Sequence, residues 1–580
     1  MTCFLTSSAS SSPYCDARDG RLSNRLTERV RWLPDHQPRT IPPAPRLTTP
    51  RPSFVRPGGI AVTESTPTPA TKPTVAQPAV VQPDAAQPDA VQGRSPRTGA
   101  PVGDPMAGST EADLDRVVAA ARAAAPAWAA RSGPERAEVL EAVADALDAA
   151  RAELVAVADA ETALGEPRLA GEVGRTSGQL RMFAGLLRDG AHVGAVLSPA
   201  DPALGRPDVR RMLHPIGVVA VFAASNFPFA FSVAGGDTAS AWAAGCPVVV
   251  KAHEAHPATS LAVARVVHAA LSAAGAPEDL LGLVAGRAAG GPLVTHPGIA
   301  AVGFTGSLAG GRALFDLAAG RPDPIPFFGE LGSVNPVVVL PGAAAERAEE
   351  LAAGYLGSLT LGTGQFCTNP GLLFVPEGTK LLDAIATQAR TATGGPMLSE
   401  RIRDAYEDGT SARAGRELAR GAAAEGAWAV APVVWHVDLA EFVAHAAELA
   451  EETFGPAGLV VTYADEDALL AALDRLPGSL TGSVHAVEAD HPLAARVGAA
   501  LRPRVGRLIH NGWPTGVAVC WAMHHGGPWP ATTTPGHTSV GGTALERWLV
   551  PTAYQDCPDA LLPPELRNAN PLGVPRRTQP

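Results

Sequence analysis

A chain of 580 residues, 46% hydrophobic and 18% charged, is too long for one small core and suits two or three domains. Its formal net charge of -11 argues against a nucleic-acid partner, because phosphate contacts demand clustered Lys and Arg; no uncharged apolar run approaches the ~20 residues of a membrane-spanning helix. The 6 cysteines form no CxxC pair and no Cys/His cluster, which argues against a structural metal or a disulfide framework and fits a reducing cytoplasm.

The N-terminal stretch differs from the rest. Residues 1–61 are rich in Arg, Ser and Pro, and "VAQPAVVQPDAAQPDAVQ" follows as a near-repeat with little to pack. Residues 1–94 therefore read as a disordered, non-structural extension, consistent with translation from a start placed too far upstream. The acids at 16, 19, 28 and 35 argue against a transit peptide, and no apolar segment suits secretion.

Order is expected from about Thr98, with "TGAPVGDPM" as a short turn. "STEADLDRVVAAARAAAPAWAAR" reads as a helix with Val117, Val118, Ala121 and Trp128 at helical spacing. "SGPERAEVLEAVADAL" opens on a capping box, Ser132 with Glu135, and buries Leu140, Val143 and Leu147. From residue 213 short apolar runs ("IGVVAVFA", "PVVVKA", "LLGLVAG", "PGIAAVGFTG") alternate with helical segments, which predicts βαβ units and a parallel sheet. A second alternating block runs from "VNPVVVLPG" to about residue 530, followed by a mixed tail. The fold class is α/β, with two sheets and accessory segments.

Several strand ends carry chemistry-bearing side chains. "VGFTGSLAGG" turns a strand into a helix, where backbone N–H groups and the helix's positive end suit a phosphate, although its glycines do not make GxGxxG. "FAASNFPF" ends a strand on Asn226, and "VVVKAHE" ends one on Lys251 with Glu254 beyond it. "FFGELGS" places Glu330 among glycines, and "GQFCTNPG" presents one cysteine, Cys367, between small and polar residues. Taken singly, each has a structural explanation: a packed thiol or a solvated edge.

Together "ASNFPF", "VVVKAHE", "GFTGS", "GELGS", "GQFCTNPG" and "EETFGP", in that order, resemble the aldehyde dehydrogenase superfamily over residues 95–575. The resemblance implies a Rossmann-like NAD(P)-binding domain at 95–327 with a bridging hairpin around 203–214, and a catalytic domain at 328–540. A bridging strand and tail at 541–580 would complete a homodimer or dimer of dimers. It makes Cys367 the nucleophile, Asn226 an oxyanion donor and Glu330 the base that hydrolyses the thioester. Lys251 and Glu254 would meet the adenosine ribose, Gly306 and Ser307 the pyrophosphate. Glu452 would meet the nicotinamide ribose, with Phe454 near the ring. Glu254 favours NAD over NADP, because a carboxylate there repels a 2′-phosphate.

Longer stretches, "GEVGRTSGQLRMFA" and "NGWPTGVAVCWAMHHGGPWPATT" among them, resemble the 2,5-dioxopentanoate (α-ketoglutarate semialdehyde) dehydrogenases and related bacterial fatty-aldehyde enzymes. That implies Arg175 and Gln179, which share a helix face, as substrate contacts. Ala518 and Trp521 stand where acidic residues are usual in those enzymes, which predicts an apolar pocket wall. The alternatives are a long-chain or broad-specificity aldehyde dehydrogenase and a non-enzymatic binding protein on the same fold. A thiol hydrolase would need a His beside Cys367, and none is near in sequence.

Overall fold

A computed structural model describes residues 90–580; the expectations for residues 1–89 lie outside the described residues. Structure begins earlier than the sequence suggests. Val91–Arg94 pairs antiparallel with Pro101–Met106, so the end of the expected extension and the expected turn are two strands of a hairpin. Gln92 closes it, donating from Nε2 to the carbonyl oxygen of Val102 at 3.0 Å. Periodicity does not reveal it, because the first strand, VQGR, is only 4 residues long and the second, PVGDPM, is broken by Pro and Gly.

The helices Glu111–Ala129 and Gly133–Ala149 form as expected, each from a capping box, with Thr110 and Ser132 as caps. Their buried stripes include Val118, Ala121 and Trp128 in the first and Leu140, Val143 and Leu147 in the second. Val117 is only partly buried.

Five strands form the first parallel sheet, in spatial order Leu281–Val284, Val248–Lys251, Val219–Phe222, Ala301–Thr305 and Phe327–Glu330. Alternation sends Val219 and Val221 to one core and Ala220 and Phe222 to the other. Both faces are covered, which explains the nearly unbroken apolar runs. Strand order reverses between Val219–Phe222 and Ala301–Thr305, and a doubly wound sheet opens its ligand crevice at such a reversal, at the carboxyl ends.

The second sheet has seven strands: Arg416–Arg420, Val433–Asp438, Ala457–Tyr463, Leu372–Pro376, Val337–Val339, Ser479–His485 and Val505–His510. All pairs are parallel except the first. Val338 and Phe374 point into one core, Val337 and Leu373 into the other. A four-stranded sheet joins Leu549–Gln555, Val209–Pro215, Ala195–Ser198 and Arg576–Thr578. Among the described residues its first strand pairs on one side only, and it exposes Val550.

Candidate active site

The carboxyl ends of the first sheet supply most of the singled-out residues. Asn226 follows Val219–Phe222, Lys251 ends Val248–Lys251, Gly306 and Ser307 follow Ala301–Thr305, and Glu330 ends Phe327–Glu330. Cys367 comes from the second sheet, in the loop before Leu372–Pro376.

Two of the motifs touch through their backbones. Gly364 has φ +67, and a Cβ there would collide with the backbone of Gly455 and Pro456, so "GQFC" and "EETFGP" require glycine to meet. Asn369 Nδ2 donates to the carbonyl oxygen of Gly455 at 2.9 Å. Buried Asn335 donates to the carbonyl oxygens of Cys367 and Asn369, both at 2.9 Å, fixing the cysteine loop to "GSVNP". Asn226 donates from Nδ2 to the carbonyl oxygen of Gln365 at 3.0 Å. An amide nitrogen carries two hydrogens, so this bond leaves one for another acceptor.

His525 was not anticipated. Its Nε2 lies 3.4 Å from Cys367 Sγ and 3.1 Å from Glu330 Oε1, so one ring nitrogen faces both groups. The only hint in the sequence is the His pair in "AMHHGG"; 158 positions of chain separate His525 from Cys367. Ser539 Oγ donates to the other Glu330 oxygen at 2.5 Å. Burial opposes ionisation of Glu330, but the His525 ring and the Ser539 hydroxyl hold its carboxyl down at about 2. Burial and the adjacent Glu330 carboxylate push the Cys367 thiol well above its ordinary range. The resting group is a thiol, and it needs an acceptor for its proton. His525 Nε2 is in reach, and a proton arriving there faces a carboxylate.

A cavity of about 870 Å³ opens on this cluster. Asn226, Glu330, Cys367, Gly306, Ser307, Glu452 and Phe454 are among the residues that line it. Ser307 caps the helix Leu308–Ala319, its Oγ accepting from Gly310 N at 3.3 Å, and Leu308 and Ala309 also face the cavity. Buried Lys251 pairs with Glu254, so these two side chains meet each other. Burial raises the Glu452 carboxyl well above the usual carboxylate range. The cavity's size and its helix N-terminus fit a dinucleotide with its phosphates.

The helix Glu166–Asp189 packs against the segment that follows Asn226, with Glu172 Oε1 accepting from Phe229 N at 2.8 Å, and contributes no side chain to the cavity lining. The Arg175 guanidinium lies over Phe227 and Phe231, 5.4 Å from each ring centroid. Its Nε and Nη2 are buried without a partner among the described residues. Burial pulls its pKa below the ordinary value, while Glu172, Cys367 and Glu330 act in the other direction. Gln179, one turn on, packs against Gly236 beside the Ser539 backbone, and its Nε2 is also unpartnered. Arg181 turns outward to Asp145 and Asp148. Ala518 and Trp521 do not form the expected wall: both are exposed, while Val517, Val519 and Met523 pack against Phe227, Phe231 and Phe366. Alternation along an irregular loop set this, and the sequence offered no phase for it.

Residues 84–529 match the model of the aldehyde dehydrogenase family. The chain is 47% identical over 494 residues to α-ketoglutaric semialdehyde dehydrogenase 2 of Azospirillum brasilense, covering 83% of this chain and 94% of that one. It is 42% identical over 480 residues to the α-ketoglutaric semialdehyde dehydrogenase of Acinetobacter baylyi, covering 80% and 91%. Among solved structures, a putative aldehyde dehydrogenase from Burkholderia cenocepacia superposes with a TM-score of 0.68 at 24% identity, covering 80% of this chain and 96% of that one. Aldehyde dehydrogenase C of Pseudomonas syringae, solved with NAD+ and octanal, superposes with a TM-score of 0.69 at 24% identity, covering 81% and 94%. No described helix is long and apolar enough to cross a membrane. The sheets, the cavity and the relatives agree, and the chain belongs to the aldehyde dehydrogenase family.

Proposed function

We propose that this enzyme oxidises a short semialdehyde with a carboxylate at its far end, α-ketoglutarate semialdehyde (2,5-dioxopentanoate) to 2-oxoglutarate, using NAD. The observation that carries the substrate is Arg175: a guanidinium laid on two phenyl rings, with two buried nitrogens lacking partners. Leaving such donors unpaired is costly, and a substrate carboxylate satisfies them bidentately. The names of the relatives at 42–47% identity point the same way.

In this reading His525 Nε2 takes the proton of Cys367, and the sulfur attacks the aldehyde carbon. Asn226 Nδ2 and the Cys367 backbone N–H meet the developing oxyanion, a type of site worth roughly 10²–10³ in rate. NAD, when bound, would supply the two-electron acceptor, and Lys251, Gly306, Ser307, Glu452 and Phe454 would hold it. Glu330, kept ionised beside His525, then draws a proton from the water that hydrolyses the Cys367 thioester. Glu254 sets the preference for NAD over NADP through its charge. Gln179, one turn along the same helix, would join Arg175 in meeting the substrate carboxylate. Assembly as a homodimer or dimer of dimers is supported by the one-sided edge strand Leu549–Gln555. The free state of the described cysteines, Cys246, Cys367, Cys520 and Cys557, supports a cytoplasmic setting.

A second reading, a long-chain or broad aldehyde dehydrogenase, draws on the apolar cluster of Phe227, Phe231, Phe366, Val517, Val519 and Met523. Arg175→Met separates the two. The KM for acidic semialdehydes should rise by about ten- to a hundredfold, about 1.4–2.8 kcal/mol, with hexanal spared. Equal effects on both substrates would put the long-chain reading in front.

A further inference from the structure

Cys367 Sγ, His525 Nε2 and a Glu330 carboxylate oxygen form a small triangle. Two of its edges measure 3.4 and 3.1 Å, and all three atoms lie within 4.8 Å of one another. Thiolate, imidazole and carboxylate are the donors zinc takes, at about 2.3, 2.0–2.1 and 2.0–2.2 Å respectively. A tetrahedron built on those bonds has S···N and N···O edges of about 3.6 and about 3.4 Å. The observed edges are a few tenths of an ångström shorter, within reach of small side-chain rotations. We propose that Cys367, His525 and Glu330 form a Zn²⁺ site, and that zinc switches the enzyme off by occupying its thiol.

The surroundings suit a metal as well as they suit catalysis. Ser539 Oγ orients the Glu330 carboxylate beforehand, and the His525 backbone N–H donates to Thr538 Oγ1 at 2.7 Å, which anchors the segment that carries the ring while Nδ1 has no partner among the described residues. His525 and Glu330 are buried. Thiolate and carboxylate together neutralise a divalent ion, which removes the charge penalty of a buried site. Cys367 and Glu330 also face the large cavity, which leaves a fourth position for water. The thiolate selects against Mg²⁺ and Ca²⁺, which prefer an all-oxygen shell. On binding, the S–H bond breaks, an S–Zn bond forms and the proton leaves to solvent; nothing is oxidised or reduced. The cluster thus has two exclusive uses, attack on an aldehyde or capture of a metal.

The proposal rests on the geometry underlying the reading above, but its test does not need turnover. Zn²⁺ is titrated into the full-length, chelator-stripped protein, with bound metal read by competition against a chromophoric chelator. One zinc per chain should bind, activity should fall at least about tenfold at saturation, and a chelator should restore it. Co²⁺ in place of zinc should show a thiolate-to-cobalt charge-transfer band that Cys367→Ser abolishes. Cys520→Ser should retain it, since Cys520 is exposed and apart from the triangle. His525→Gln should weaken zinc binding at least about tenfold. Should Cys367→Ser fail to fold, protection of wild-type Cys367 from iodoacetamide by one equivalent of zinc serves instead. A cobalt band on an enzyme inactive toward every aldehyde would sustain the zinc site and sink only the catalytic reading. A band that survives Cys367→Ser, inhibition that vanishes in Cys520→Ser, or unprotected Cys367 at full zinc occupancy overturns the proposal.

Discussion

Arg168 Nη2 donates to the carbonyl oxygen of Asn226 at 2.7 Å, while the same guanidinium lies 4.7 Å from the centroid of Phe366, the residue before Cys367. It also covers Phe227, the residue after Asn226, at 5.3 Å. Gly362 leaves room for it: a Cβ there would strike Arg168 Nη1. One cation therefore ties the amide's backbone to the segment that carries the thiol. Arg168→Met should lower kcat by about tenfold, ~1.4 kcal/mol, and change KM less. Arg168→Lys should recover only part of the loss, because an ammonium cannot replace a flat, stacked fork. Steady-state kinetics reads both; an unchanged kcat in Arg168→Met would leave the placement of Asn226 to the phenyl rings alone.

Glu330→Gln should release one equivalent of reduced cofactor and then stall at the thioester, visible as a burst without turnover. The same variant reports on pH. The Glu330 carboxyl sits at about 2 in the folded chain, against 4.5 for the ordinary side chain. A lowered folded pKa gives stability that is complete above 4.5 and is lost as the pH falls from 4.5 towards 2. The difference in melting temperature between wild type and Glu330→Gln should therefore shrink across that window. A constant difference would mean that the carboxylate is not specially held.

Glu254 pairs with Lys251 at the end of Val248–Lys251, so its charge is partly balanced but stays in place. Glu254→Thr should raise kcat/KM for NADP by about tenfold, equivalent to ~1.4 kcal/mol. A wild-type enzyme that prefers NADP would remove the argument.

Light scattering at micromolar concentration should give a dimer or tetramer. The one-sided strand Leu549–Gln555 exposes a row of backbone groups that a partner strand can meet. A monomer would assign that edge to solvent.

Strand ends were the legible part of this chain. Asn226, Lys251, Gly306 and Glu330 each close an apolar run, and a parallel sheet brings such closures to one edge whatever the loops do. His525, Ser539 and Arg168 were not legible, for a different reason in each case. His525 and Ser539 lie in a long irregular stretch after Val505–His510, where no period assigns a facing. Arg168 sits on an amphipathic helix, and an Arg there reads as solvated unless something shows that aromatic rings lie beneath it. The hairpin at Val91–Arg94 escaped because its composition matches that of a linker.

Cys367 enters from the amino end of a strand in one sheet, while Asn226 and Glu330 leave the carboxyl ends of strands in the other. Each sheet has its own cores, so the groups of the proposed mechanism are carried by two bodies of separately packed side chains. The chemistry then measures how those bodies sit against each other. A methyl group lost beneath Val338 or Val221 can leave every reacting side chain intact and still move thiol and amide apart, and a misplacement of about 1 Å can cost on the order of a hundredfold in rate. In this fold the precision of the proposed reaction would be a property of the seam, inherited from residues that never approach the aldehyde.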